Sequence, residues 1–85
     1  MKIKLEFFGP VRDRIGDYPA TLTLDACPQT LDALVATLAG QLENGGVLLD
    51  PHLRITINDQ LVTRQQTLTL GEGAHIAVLS PFSGG

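Results

Sequence analysis

Residues 30–42 read TLDALVATLAGQL, and this stretch decides the fold because its apolar period is that of a helix. The apolar positions that share one helical stripe are Leu31, Leu34, Val35, Leu38 and Leu42. Thr30 is suited to be the N-cap, and the Asn-Gly-Gly sequence at 44–46 supplies a stop. The stretch therefore predicts one amphipathic helix with a buried face.

On both sides of this helix the period changes to that of half-buried strands. The alternating segments are MKIKLEFFG at 1–9, TLTLD at 21–25, LRITIN at 53–58, a short LVT at 61–63, TLTL at 67–70 and AHIAVLS at 74–80. Residues 9–20 are predicted to be a loop with one helical turn over 11–15. The order is summarised as β-β-α-β-β-β. It predicts an α+β roll of the β-grasp (ubiquitin-like) kind, with a mixed sheet of four to five strands over one main helix.

Composition limits the chain to one small domain, expected over residues 1–80. The chain has 85 residues, of which 44% are hydrophobic and 18% charged, as is usual for a folded protein. A net charge of −3 and six scattered Lys and Arg residues argue against a nucleic-acid binder. No apolar stretch has the length of a signal peptide or a membrane span, so we expect a cytoplasmic protein without a membrane partner.

The residues that could hold a metal ion do not form a ligand pattern. Cys27, His52 and His75 lack the spacings of a metal site, so no metal is expected. Cys27 is the single cysteine and is expected to be a partly buried structural thiol. His75 is expected to be a solvated strand residue and His52 a loop residue. The chemistry must therefore be sought elsewhere.

Two large apolar residues fall on the polar face of their strands. Phe8 and Leu79 each end a strand and break its alternation. If the first and last strands are parallel neighbours, these side chains lie together and form a docking patch. The alternatives are that a loop covers them or that they are ordinary scattered surface residues.

The last six residues, SPFSGG, predict a flexible tail over residues 81–85. Pro81 lacks a backbone N–H and discourages further strand pairing. Gly84 and Gly85 have no Cβ, so they fit a narrow channel. A carboxylate on Gly85 can attack ATP and form a reactive acyl-adenylate. The alternative is a frayed terminus that ends in glycine by chance.

Four segments together resemble the MoaD/ThiS family of ubiquitin-like sulfur carriers, and most closely its branch of molybdopterin synthase small subunits. They are LEFFGPVRDRIG, TLDALVATL, ITINDQLV and LGEGAHIAVLSPFSGG. The resemblance implies that Gly85 is adenylated and then converted to a thiocarboxylate, which donates sulfur to cyclic pyranopterin monophosphate. The chain itself is then a carrier that binds no cofactor and catalyses nothing alone.

The resemblance also implies a set of partners. An adenylyltransferase of the ubiquitin-activating type uses ATP and Mg²⁺, a persulfide donates sulfur, and a large synthase subunit completes a heterotetramer. The implied contact residues are Phe8, Leu61 and Leu79 on the domain and Pro81, Phe82, Ser83 and Gly84 on the tail. Phe82 departs from the family, which usually has a small β-branched residue there.

Other functions stay open on the sequence alone. A sulfur carrier could serve thiamine thiazole, cysteine, thiolated tRNA or a secondary metabolite instead of a pterin. A protein modifier would join Gly85 to a target lysine through an isopeptide bond. A plain interaction domain would have an incidental glycine tail.

Overall fold

The computed structural model describes residues 1–63 and 66–80, which form a mixed sheet wrapped around a helix. The elements are β1 (Lys2–Phe8), α1 (Pro10–Ile15), β2 (Thr21–Thr23), α2 (Leu31–Gln41), a 3-10 helix (Gly45–Leu49), β3 (Arg54–Ile57), β4 (Gln60–Leu61) and β5 (Ala74–Leu79). The order across the sheet is β2-β1-β5-β3-β4. This arrangement confirms the predicted β-grasp fold.

The centre of the sheet is built from the first and last strands of the described chain. β1 and β5 run parallel, from Ile3 opposite Ala74 to Phe8 opposite Leu79, so the condition on which the Phe8–Leu79 patch depends is met. Parallel neighbours need a long crossover connection, and here the intervening chain with α2 supplies it. Ile3 of β1 and Ile76 of β5 point into the core and have no exposed surface.

The main helix begins where the cap was predicted. Thr30 accepts a hydrogen bond at Oγ1 from the backbone N–H of Ala33, at 3.1 Å, so one of the unpaired donors of the first turn is satisfied. Leu34 and Leu38 on the apolar stripe have no exposed surface and belong to the same core cluster as β1 and β5. The helix therefore covers one face of the sheet and leaves the other face open.

A tight hairpin joins β3 to β4. Ile57 pairs with Gln60, so only Asn58 and Asp59 form the loop. Their φ angles are +52° and +69°, a region in which Asn and Asp are enriched among non-glycine residues. The hairpin therefore fixes the register of β4 and the face on which Leu61 lies.

The strand predicted over residues 67–70 is wrong. Thr67 forms only an isolated bridge with Thr30, and the Leu68 N–H donates to the Gln29 carbonyl oxygen at 2.8 Å. Leu68 and Leu70 are nevertheless buried in the core. An alternating sequence indicates only that every second side chain is buried. Here the two leucines are buried because the segment packs beside the start of α2, without a strand ladder.

The helical pieces outside α2 were incompletely predicted. α1 is a six-residue helix that extends the expected turn, and the 3-10 helix was not predicted. Gly45 lies so close to the Ala39 backbone that a Cβ there would clash. The 3-10 helix can therefore pack against α2 only with a glycine at this position. In the described part of the chain, no helix is both long and apolar enough to cross a membrane.

Candidate functional site

The face of the sheet opposite α2, called the open face below, carries the residues that alternate with the core positions. Its members are Lys2, Lys4, Glu6 and Phe8 of β1, His75, Ala77 and Leu79 of β5, Arg54 and Thr56 of β3, and Leu61 of β4. Ala77 is buried between its neighbours although it lies on this face. The three predicted domain contact residues all belong to the open face.

Phe8 and Leu79 form an apolar pair at the end of the open face where β1 and β5 finish. They are direct register partners in the parallel ladder. Phe8 is 44% exposed and Leu79 is half-buried, so the two side chains are accessible to a partner. Two large apolar groups therefore lie side by side at a fixed register and form an exposed apolar patch, the kind of feature that often marks an interaction site.

Leu61 lies on the same face but apart from this pair. It is opposite Thr56 in the β3–β4 hairpin and is 54% exposed. The strand β3 separates it from β5, which amounts to two strand spacings, or about 10 Å. Arg54, opposite Leu79, lies in the intervening strand and is exposed. The structure thus brings Phe8 and Leu79 together and places Leu61 as a separate apolar contact across a polar strip.

A polar pair occupies the middle of the open face. Nε2 of His75 lies 2.6 Å from Oε1 of Glu6, and the His75 backbone N–H donates to Oδ1 of Asn58 at 3.0 Å. His75 is therefore a partly exposed strand residue with a defined partner. The pairing joins residues 69 positions apart. Only the β1–β5 register reveals it, so sequence reasoning missed it.

The exit from β5 is fixed by two hydrogen bonds at Ser80. The Ser80 N–H donates to the Phe8 carbonyl oxygen at 3.3 Å. Its Oγ accepts a hydrogen bond from the Val11 N–H at 2.7 Å. Sequence reasoning missed this contact as well, because nothing in the local sequence links Val11 to Ser80. The predicted tail residues Pro81, Phe82, Ser83, Gly84 and Gly85 lie outside the described residues.

The other candidate residues do not assemble into a site. Cys27 is exposed, so the expectation of a partly buried thiol is wrong; it follows β2 in a surface loop. His52 lies in a turn, where its N–H donates to Oδ1 of Asp50 at 2.9 Å and lowers the pKa of that carboxyl. Among residues 1–63 and 66–80, no three metal-ligating side chains come together.

Comparisons with known proteins agree with this geometry. The model of the ThiS family matches residues 5–85. No curated protein matches the chain significantly. The crystal structure of SAMP1 from Haloferax volcanii superposes with a TM-score of 0.71 at 17% identity and covers 100% of both chains. The crystal structure of H. volcanii small archaeal modifier protein 1 gives 0.52 at 19% identity, over 94% of this chain and 97% of that one. At these identities the structural likeness shows the fold alone.

Proposed function

The chain belongs to the ThiS family of small ubiquitin-like proteins, and from that premise we propose that it is the sulfur-carrying small subunit of a molybdopterin synthase. The observation that carries the proposal is the position of the Phe8–Leu79 pair. This pair lies at the strand end from which the chain continues into residues 81–85. A carrier with a reactive end needs a docking surface close to the residue where its Gly-Gly tail leaves the domain, because docking then brings the tail to the active site of the partner.

In this proposal the chemistry takes place on the carboxylate of Gly85. An oxygen of that carboxylate attacks the α-phosphate of ATP, and pyrophosphate leaves. A persulfide sulfur then attacks the acyl carbon of the adenylate, the carbon–oxygen bond breaks and AMP leaves. Two reductant thiols then cleave the S–S bond of the resulting acyl disulfide and leave as one disulfide, which gives the thiocarboxylate and the freed donor thiol. The chain supplies no general acid or base to these steps.

The same surface serves successive partners in this proposal. An adenylyltransferase and later a large synthase subunit dock on the open face through Phe8, Leu61 and Leu79. Docking then delivers residues 81–85 into each active site by extended-chain contacts. ATP and Mg²⁺ belong to the adenylyltransferase, and the pterin belongs to the large subunit. One surface with one reactive end therefore accounts for both loading and transfer.

Intact-protein mass spectrometry tests the proposal. The chain is co-expressed with a ubiquitin-activating-type adenylyltransferase and a persulfide source. We expect the mass gain of one oxygen replaced by sulfur. The matched control is deletion of Gly85, which should leave the melting temperature nearly unchanged and abolish the mass gain. An unaltered carboxylate in the wild-type chain under these conditions contradicts the carrier function.

The sulfur acceptor is tested separately with the loaded chain. Mixed with a molybdopterin synthase large subunit and cyclic pyranopterin monophosphate, the thiocarboxylate should be consumed as the dithiolene forms. Consumption only by thiamine thiazole, cysteine, tRNA or secondary-metabolite acceptors would assign the chain to another branch of sulfur carriers.

A protein modifier is the second candidate, favoured by the likeness to structures named SAMP1 and small archaeal modifier protein 1. In that function the adenylate of Gly85 is attacked by a lysine amine, and AMP leaves as an isopeptide bond forms. Peptide mapping of cell extracts distinguishes the two. Lysine adducts that retain the Gly-Gly terminus would support the modifier.

A further inference from the structure

We propose that Ser80 is a positioning residue, which fixes where the chain leaves the domain relative to the docking surface. Its consequence for reactivity rests on the proposed function of Gly85. The anchor itself is a property of the fold and is tested without that chemistry.

The N-terminus of α1 is capped by a residue that is distant in the sequence. Gly9 occupies the N-cap position and has no side chain with which to accept a hydrogen bond. The first N–H groups of a helix have no partner within the helix, so another group must satisfy them. The Oγ of Ser80 does this for the Val11 N–H at 2.7 Å. The cap of α1 is therefore supplied by the far end of the chain.

Ser80 also contacts β1 through its backbone and lies close to Gly9. The Ser80 N–H continues the β1–β5 ladder by donating to the Phe8 carbonyl oxygen at 3.3 Å. Gly9 has φ +75° and ψ −158°, and a Cβ built on it would lie 3.6 Å from the Ser80 Cβ. Ser80 is thus tied on one side to the strand that carries Phe8 and on the other to α1.

These contacts link the docking surface to the reactive end. Phe8 contributes its side chain to the open face and its carbonyl oxygen to Ser80. A partner that binds the Phe8–Leu79 pair therefore also fixes the position of Ser80, the residue that precedes residues 81–85. Without the Oγ, that point loses its hydrogen bond to α1, and fewer docked complexes place Gly85 at the reacting centre. The loss should appear in turnover and not in docking.

The experiment compares Ser80→Ala with Ser80→Thr, which keeps a hydroxyl, and with Thr30→Ala, which removes the cap of α2 instead. In Ser80→Ala, amide hydrogen exchange at Val11 should accelerate about tenfold, as expected for a lost cap. The ¹⁵N order parameter at position 80 should also fall. Thr30→Ala should accelerate exchange at Ala33 and leave Val11 unchanged. Ser80→Thr should restore wild-type behaviour.

The functional readout is adenylation by the activating enzyme, followed as pyrophosphate release. Ser80→Ala should lower kcat about tenfold and leave KM within about twofold, because misplacement affects the reacting atoms more than docking. Thr30→Ala should change neither constant.

Unchanged Val11 exchange and an unchanged order parameter in Ser80→Ala would overturn the anchor. Faster exchange with unchanged kcat would overturn its positioning role. A wild-type chain that is never adenylated would refute the proposed function instead, while exchange and relaxation at positions 11 and 80 would still decide the anchor.

Discussion

Truncation of Leu61 to alanine tests whether the open face is the docking surface. Leu61 lies on that face, more than half exposed, and contributes little to the core. Leu49 offers a matched control because it is a leucine with 62% exposure at the end of the 3-10 helix, which packs against α2 and α1. Two identical truncations at similar exposure, one in a strand on the open face and one in a helix outside the sheet, separate docking from general surface hydrophobicity.

The magnitude follows from the surface that a partner can still cover. Complete burial of a leucine side chain is worth about 1.5–3 kcal/mol. Leu61 is 54% exposed, so about 1 kcal/mol remains available, and its loss weakens binding about fivefold. Phe8 at 44% gives a similar figure. The two residues are three strands apart, about 14 Å, so their effects should add to about 25-fold in the double variant.

Titration calorimetry with the activating enzyme measures these changes, and thermal melts establish that each variant is folded. Leu61→Ala and Leu49→Ala should each change the stability of the domain by less than about 1 kcal/mol, since both side chains are largely exposed. Only Leu61→Ala should weaken binding. Equal weakening by both variants, or none by the Phe8 and Leu61 double variant, would refute the assignment of the open face.

Three further substitutions probe the surroundings of the site. Leu79→Asp should abolish measurable docking yet leave a folded domain in thermal melts, and unfolding would mean that the faces of β5 are wrongly assigned. Gly9→Ala should lower the free energy of unfolding by about 1–3 kcal/mol in urea titrations, because its φ of +75° and ψ of −158° suit only glycine. Asp50→Asn should reduce the loss of stability in acid. The lowered pKa of Asp50, caused chiefly by the His52 N–H, favours the ionised form in the fold. This stabilisation is present at pH values above 3.8, the ordinary pKa of an aspartate, and it is lost as the pH falls through the lowered pKa of Asp50 in the fold. The midpoints of urea unfolding, measured at several pH values, would show the difference between the wild type and Asp50→Asn.

Elements whose cause is local were predictable from the sequence. The stripe of α2 and its Thr30 cap depend on residues within a few positions of each other, and both were predicted correctly. The alternation of β1 likewise gave its buried and open faces. Phe8 and Leu79 were recognisable because each violates the period of its own strand.

Features that depend on tertiary partners were not predictable. The alternating residues 67–70 have the pattern of a strand but, among the described residues, pair with no strand of the sheet. They form one isolated bridge with Thr30 and bury two leucines in the core. The Glu6–His75 contact exists only because β1 and β5 are in register. The cap of α1 is invisible in the sequence because Gly9 shows no acceptor and Ser80 lies at the other end of the chain.

The central pairing of β1 with β5 also determines when the Phe8–Leu79 pair forms. Phe8 is synthesised early, but its neighbour Leu79 and the cap at Ser80 arrive only after almost all of the rest of the domain. Strands far apart in the sequence can pair only after both have been synthesised, and their pairing is slow because the chain between them must first be closed into a loop. A nascent chain or a fragment without β5 therefore presents neither the apolar pair nor an anchored terminus. In the proposed function, an activating enzyme would therefore meet the apolar pair only after β5 has paired with β1, so the sheet would be complete before any ATP is used.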